Sequence, residues 1–245
     1  MIEKALKYLV GIGEANIKEV TLPDGTKQTY SDKPLNMLTK RIHRADVLHM
    51  HTLSSLVEYI KANIDTMAPK MIIHVESPEK VSLYSQLDEE RKRECIVEVY
   101  AQVPEFGYER FIDHEAFTIN VQSKFFEDPN TDEALLLKFA GTVEQGSVVE
   151  YGDDGITQKA TVRQGIASKT DAVVPNPVSL RPYRTFIEVE QPLSQFIFRM
   201  KDVHGIQCAL FEADGGAWKN AAISNIKNYL ESELVDLKKQ FTVIS

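Results

Sequence analysis

The residues best suited to recognition chemistry stand together on one proline-rich stretch. Arg181, Tyr183, Arg184 and Phe186 lie inside the run from Val174 to Trp218, which also holds the single tryptophan. Planar guanidinium groups and aromatic rings suit bases, phosphates or a partner's carboxylates. The same side chains could instead pack the segment onto its own sheet or onto a neighbouring subunit. On the ligand reading, replacing Arg181 and Arg184 by Ala weakens binding and leaves thermal stability nearly intact. A second set, Asp153, Asp154, Glu212 and Asp214, supplies carboxylates that could hold a divalent ion in a phosphodiesterase or nuclease. Asp153 and Asp154 fall in Gly152-Asp-Asp-Gly155, which lacks the further carboxylates of a calcium loop, so turn chemistry accounts for them. His49 and His51 share one face of a strand and could chelate a metal, but the other histidines are scattered and a structural role is expected. The chain contains no P-loop, no HExxH, no GxSxG, no paired-cysteine site and no dinucleotide fingerprint. An enzyme is therefore not supported, and no cofactor is expected.

These residues belong to a 245-residue chain of ordinary hydrophobic content, long enough to bury a substantial core. Its formal net charge of −8 argues against duplex nucleic acid as a default partner, because phosphate binding needs clustered Lys and Arg. The most basic short segment, Leu38–Arg44, reads as a solvated helix face. Cys95 and Cys208 are too few for a disulfide framework, which points to a reducing cytoplasm. Glu3, Lys4 and Lys7 interrupt the start of the chain, so no signal peptide is expected, and no run has the length of a membrane span.

The elements that must position the candidates can be read in order. Ile2, Leu6, Leu9 and Val10 predict a short amphipathic helix ended by Gly11-Ile12-Gly13. A hairpin turns at Pro23-Asp24-Gly25. A strand near Leu48 leads into a helix capped by Thr52 or Ser54, with Leu53, Leu56, Val57, Ile60 and Ile64 as its apolar stripe. A second hairpin turns at Ser77–Lys80, and the alternation around Val97 and Val99 marks a half-buried strand of an antiparallel sheet with one wet face. Asp113 opens a helix carrying Phe117, Val121 and Phe125. Another helix begins after Pro129, with Thr131 or Asn130 as cap and Asp132 and Glu133 in its first turn, and should stop at Gly141. Ser147–Gly165 makes a hairpin about the Asp153-Asp154 loop. The proline strap that follows cannot occupy a sheet interior. Gln195–Lys201 and Gln207–Ala213 pair across Gly205, and Gly215-Gly216 turn the chain into a long last helix with Trp218, Ala222, Ile226, Leu230, Leu234 and Leu237 on its buried face. The expected class is α+β, a mainly antiparallel sheet with several packed helices and a long C-terminal helix. Residues 1–44 form a helix and hairpin appendage, and 45–245 form the main domain.

Four stretches, HTLSSLVEYIKAN, DDGITQKATVRQGIA, PNPVSLRPYRTFIEVEQPLSQFIFRM and ALFEADGGAW with the last helix, resemble a phage and prophage family typified by YfdQ. Ile187 stands where a proline would be expected after Thr185-Phe186. The resemblance brings no catalytic residues to carry over. It implies a viral gene acting in the bacterial host's cytoplasm, among early non-virion genes. The expected function is an accessory, non-enzymatic, homo-oligomeric protein that binds nucleic acid, a nucleotide or a host protein, and not a membrane. The alternatives are the metal-dependent nuclease and a self-assembling structural protein.

Overall fold

A computed structural model describes residues 2–13, 16–23, 25, 27–32, 44–88, 91–145, 147–153, 158–164, 168–174, 176–202 and 205–245; for 9, 10, 12, 13, 141–145, 147–153, 158–164, 168–174 and 202 it describes the backbone alone. The segment Leu38–His43, the tip Asp154 and His204 lie outside the described residues.

The chain divides into two units, Met1–Arg44 and Ala45–Ser245. The first contains helix α1 (Ile2–Gly13) and the antiparallel pair β1 (Ile17–Thr21) and β2 (Lys27–Ser31). The helix ends within Gly11-Ile12-Gly13, as expected, with Gly13 as its last residue. Glycine weakens a helix interior by about 1 kcal/mol, which makes a stop possible.

The second unit runs β3 (Leu48–Met50), α2 (Leu53–Ala62), β4 (Met71–Ser77), β5 (Lys80–Tyr84), β6 (Cys95–Tyr100), β7 (Ile112–Asp113), α3 (His114–Lys124), α4 (Glu133–Gln145), β8 (Ser147–Asp153), β9 (Gln158–Gln164), β10 (Ser168–Val174), β11 (Val178–Leu180), β12 (Ser194–Asp202), β13 (Ile206–Glu212), α5 (Ala217–Glu233), a 3-10 turn and β14 (Phe241–Ile244). It is α+β, with the long C-terminal helix in place. Three sheets result, in the orders β14-β4-β5-β6-β3, β11-β12-β13-β7 and β10-β9-β8. Pairing is antiparallel except where β14 joins β4 and β3 joins β6.

The five-stranded sheet puts Met71, Ile73, Val75, Val81, Leu83, Val97 and Val99 on one face, where α2 and α5 cover them. Thr52 accepts a bond from Ser55 N at 3.2 Å and so caps α2, and Asn63 in the left-handed region ends it. That ending leaves Ile64 outside the buried stripe and exposed. The other face is polar and organised around one cation. Lys80 Nζ lies 2.8 Å from Glu98 and 3.1 Å from Glu76, Ser82 Oγ donates to Glu76 at 2.6 Å, and Tyr100 donates to Glu98 at 2.7 Å.

The four-stranded sheet backs a separate cluster. Phe196, Phe198 and Met200 of β12 meet Phe117 and Val121 of α3, Phe125 just past its end, and Leu136 and Phe139 of α4. Asp113 caps α3 by accepting from Ala116 N at 2.9 Å. Helix α4 passes Gly141 and continues to Gln145, so glycine does not stop this helix. The strap enters as β11 at the edge of this sheet, where missing proline N–H groups cost no ladder bond.

Candidate functional site

The strap is where the two cores meet, and its residues alternate in allegiance. Phe186 is 1 % exposed and belongs to the aliphatic core under the five-stranded sheet. Two residues earlier, Arg184 enters the aromatic side and is 6 % exposed. Its guanidinium lies 4.1 Å from the ring centroid of Trp218 and 5.3 Å from that of Phe196, and it donates to Glu212 and to the buried Ser194 hydroxyl. Burial pulls the guanidinium below its ordinary pKa, and the charges of Glu212 and Asp214 oppose that. Its backbone N–H donates to Gln191 Oε1 at 3.0 Å, and Gln191 Nε2 donates back to the Phe186 carbonyl at 3.0 Å, closing the strap into a tight loop. Thr185 donates to the Pro78 carbonyl, which ties the loop to the β4–β5 hairpin.

This arrangement revises the expectation that both arginines could be removed with little loss of stability. Arg184 is a buried cation with internal partners, and deleting it strands Ser194 and empties the face of Trp218. It also explains Glu212 and Asp214. Glu212 holds Arg184, and Asp214 Oδ1 accepts from Gly216 N at 3.0 Å in the turn into α5. The cation beside Glu212 is a side chain of the same molecule. Of the other two carboxylates, Asp153 is described only in its backbone and Asp154 not at all. Among the described residues no group of three or more His, Cys, Asp or Glu is placed to hold a metal ion. His49 instead faces Glu98 at 3.8 Å, and His51 Nδ1 lies 3.3 Å from the Tyr100 carbonyl oxygen.

Arg181 and Tyr183 point elsewhere. Together with Phe126, Ile187, Val189, Glu190 and Gln191 they line a cavity of about 280 Å³. The strap is pinned beside it by two backbone bonds, Phe126 N to the Arg181 carbonyl at 2.7 Å and Tyr183 N to the Lys124 carbonyl at 3.0 Å. Arg181 Nε stands 2.8 Å from Asp128 Oδ2, an ionic contact without good hydrogen-bond alignment. One terminal nitrogen donates to Glu190 Oε1 at 2.5 Å and to the Gln191 carbonyl at 2.9 Å. Two carboxylates therefore flank one guanidinium, so the cavity carries no free positive charge for a phosphate. One wall is apolar, made by Phe126, Tyr183, Ile187 and Val189: the rings of Phe126 and Tyr183 meet edge to face with centroids 6.2 Å apart, and Ile187 is 78 % exposed at the rim. The Tyr183 hydroxyl makes no hydrogen bond to a described residue, which leaves it able to donate or accept.

Sequence reasoning found Arg181 and Tyr183 but missed Phe126, Glu190 and Gln191. Nothing local marks them, since Phe126 reaches the strap only because α3 ends beside β11. Ile187 did carry a signal, as a bulky apolar residue in place of an expected proline. No family model, curated protein or solved structure matches the chain.

Proposed function

We propose that this chain is a non-enzymatic binding protein, encoded by a phage or prophage and acting in the host cytoplasm, whose ligand seat is the strap cavity. The observation that carries the reading is the cavity's make-up: an apolar wall, one uncommitted phenol and a guanidinium already neutralised by Asp128 and Glu190. Such a seat favours a flat, uncharged ring over a phosphate or a carboxylate. Its volume of about 280 Å³ lies at the small end of ligand pockets, enough for one ring system. A nucleobase and an aromatic side chain of a host protein both have that shape. The viral setting rests on the four stretches that resemble the YfdQ family. No described helix is long and apolar enough to cross a membrane.

Saturation-transfer NMR with adenosine, guanosine, uridine and N-acetyl aromatic amino-acid amides tests the reading. Transfer to at least one ring, undiminished when phosphate is added in excess, is the expected result. Transfer to none of them contradicts it.

Self-assembly stands as a second reading, on one observation. Helix α1 exposes Ile2, Leu6 and Tyr8, and a unit of this size is too small to hide such a face in a core of its own. Mass photometry of the full chain should then show an oligomer that Leu6→Glu reduces to monomer.

A further inference from the structure

Asp128, which holds Arg181 in the strap cavity, also lines a separate groove of about 580 Å³ between the end of α3 and the start of α4, together with Gln122, Glu127, Pro129, Glu133 and Leu137. Glu133 is the unusual member. It is 8 % exposed, and its Oε2 is buried with no hydrogen-bond partner. Burial, and then the nearby charge of Glu127, push its carboxyl above the ordinary range, so the N-terminal turn of α4 does not compensate for the lost water. Asp128 is already engaged. Its Oδ1 accepts from the Asn130 backbone at 2.8 Å and from the Asn130 side chain at 2.9 Å, and its Oδ2 faces Arg181. The groove thus presents one buried carboxylate with an unpartnered oxygen, a second, solvent-exposed carboxylate at the rim, no basic lining residue, and an apolar wall of Pro129, Ala134 and Leu137.

A buried carboxylate in this state is matched by a group that brings both positive charge and N–H donors. Hard divalent cations need more oxygen ligands than Glu133 and Glu127 provide. An alkylammonium ion needs only a few acceptors, since it carries three donors of its own, and its methylene stem can lie along the apolar wall. We propose that this groove binds a free aliphatic amine of the diamine or polyamine class, with Glu133 as the seat of one ammonium and Glu127 receiving another at the rim. The site is distinct from the strap cavity and does not depend on what that cavity binds.

Calorimetric titration of the full chain with putrescine and with spermidine tests this, alongside Glu133→Gln, Glu127→Gln and, as a control of equal charge change, Glu58→Gln. Saturable uptake with one site per chain is expected. Glu133→Gln should weaken it at least tenfold, Glu127→Gln several-fold and with a larger effect for spermidine, and Glu58→Gln should leave it unchanged. Glu127→Gln lies at the exposed rim, so it tests the site even if the buried substitution fails to fold. Three results would overturn the proposal: no saturable uptake by the wild type, equal weakening by all three substitutions as diffuse attraction to an acidic protein would give, or displacement of the amine by equimolar magnesium.

Discussion

The cluster beneath the five-stranded sheet is aliphatic apart from Phe186 and Phe241, whereas the one behind the four-stranded sheet is built on five phenylalanines, Phe117, Phe125, Phe139, Phe196 and Phe198. The polar groups differ in the same way. On the outer face of the five-stranded sheet Glu76, Ser82, Lys80, Glu98 and Tyr100 satisfy one another. Around the aromatic cluster, Tyr108 Oη, Glu133 Oε2, Asp214 Oδ2 and Trp218 Nε1 are buried with no hydrogen-bond partner among the described residues. Branched aliphatic side chains fill the first region, where a smaller recess of about 250 Å³ opens beside Leu234, Phe241 and Val243. The rings of Phe117, Phe139 and Phe198 meet at 48° to 85°, and recesses of about 580 Å³ and 280 Å³ open in this region, at the end of α3 and along the strap. On the proposed function the first region serves as scaffold, and the recesses and unmatched polar atoms of the second make it the recognising half.

Core substitutions should break this comparison most visibly. Phe198→Ala removes a fully buried ring that meets both Phe117 and Phe139, and a loss of about 3–5 kcal/mol in denaturant unfolding is expected. Arg184→Ala comes next, at about 3 kcal/mol. Arg181→Ala, on a less buried side chain one of whose carboxylate partners, Glu190, is largely exposed, should lower the melting temperature distinctly less than Arg184→Ala does. Equal losses for the two arginines would erase the division of labour along the strap.

The polar face of the scaffold responds to pH. Hydrogen bonds from Lys80 and Tyr100 hold Glu98 below its ordinary pKa. Burial alone would raise Glu76, but bonds from Ser82, Lys80 and Tyr84 outweigh it and hold this group low as well. Carboxylates with depressed folded pKa values contribute stability that is present above their unfolded value and lost as pH falls through the folded one. Wild-type melting temperature should therefore drop steeply between about pH 5 and pH 3, and Lys80→Met should make the drop shallower. The smallest effect concerns the thiols. Burial pushes Cys208 up to about 12, while Cys95 is raised less and is half-exposed. Alkylation near neutral pH should label Cys95 first and reach Cys208 only as the four-stranded sheet opens.

Elements with strong periodicity were legible before the structure. The stripes Leu53–Ile60 and Trp218–Leu230, the hairpins at Pro78 and Gly205, and the cap at Asp113 all follow from local spacing and turn chemistry. Strand β14 was missed because Phe241–Ile244 is too short to show a period, and it is a strand only through its parallel pairing with β4. The end of α4 was misplaced at Gly141 because glycine permits a stop and does not compel one. Arg184 illustrates the limit at the site. Its type suggested a ligand contact, but Ser194, Glu212 and Trp218, all remote along the chain, make it internal. The buried state of Glu133 was hidden for the same reason, since first-turn acids are common and only the packing of α3 against α4 removes this one from water.

The division between a structural Arg184 and a receptive Tyr183 is the centre of the account, and saturation-transfer NMR on Tyr183→Ala tests it most directly. The account predicts a variant that melts close to wild type and loses transfer to the responding ring. Undiminished transfer in that folded variant would contradict it.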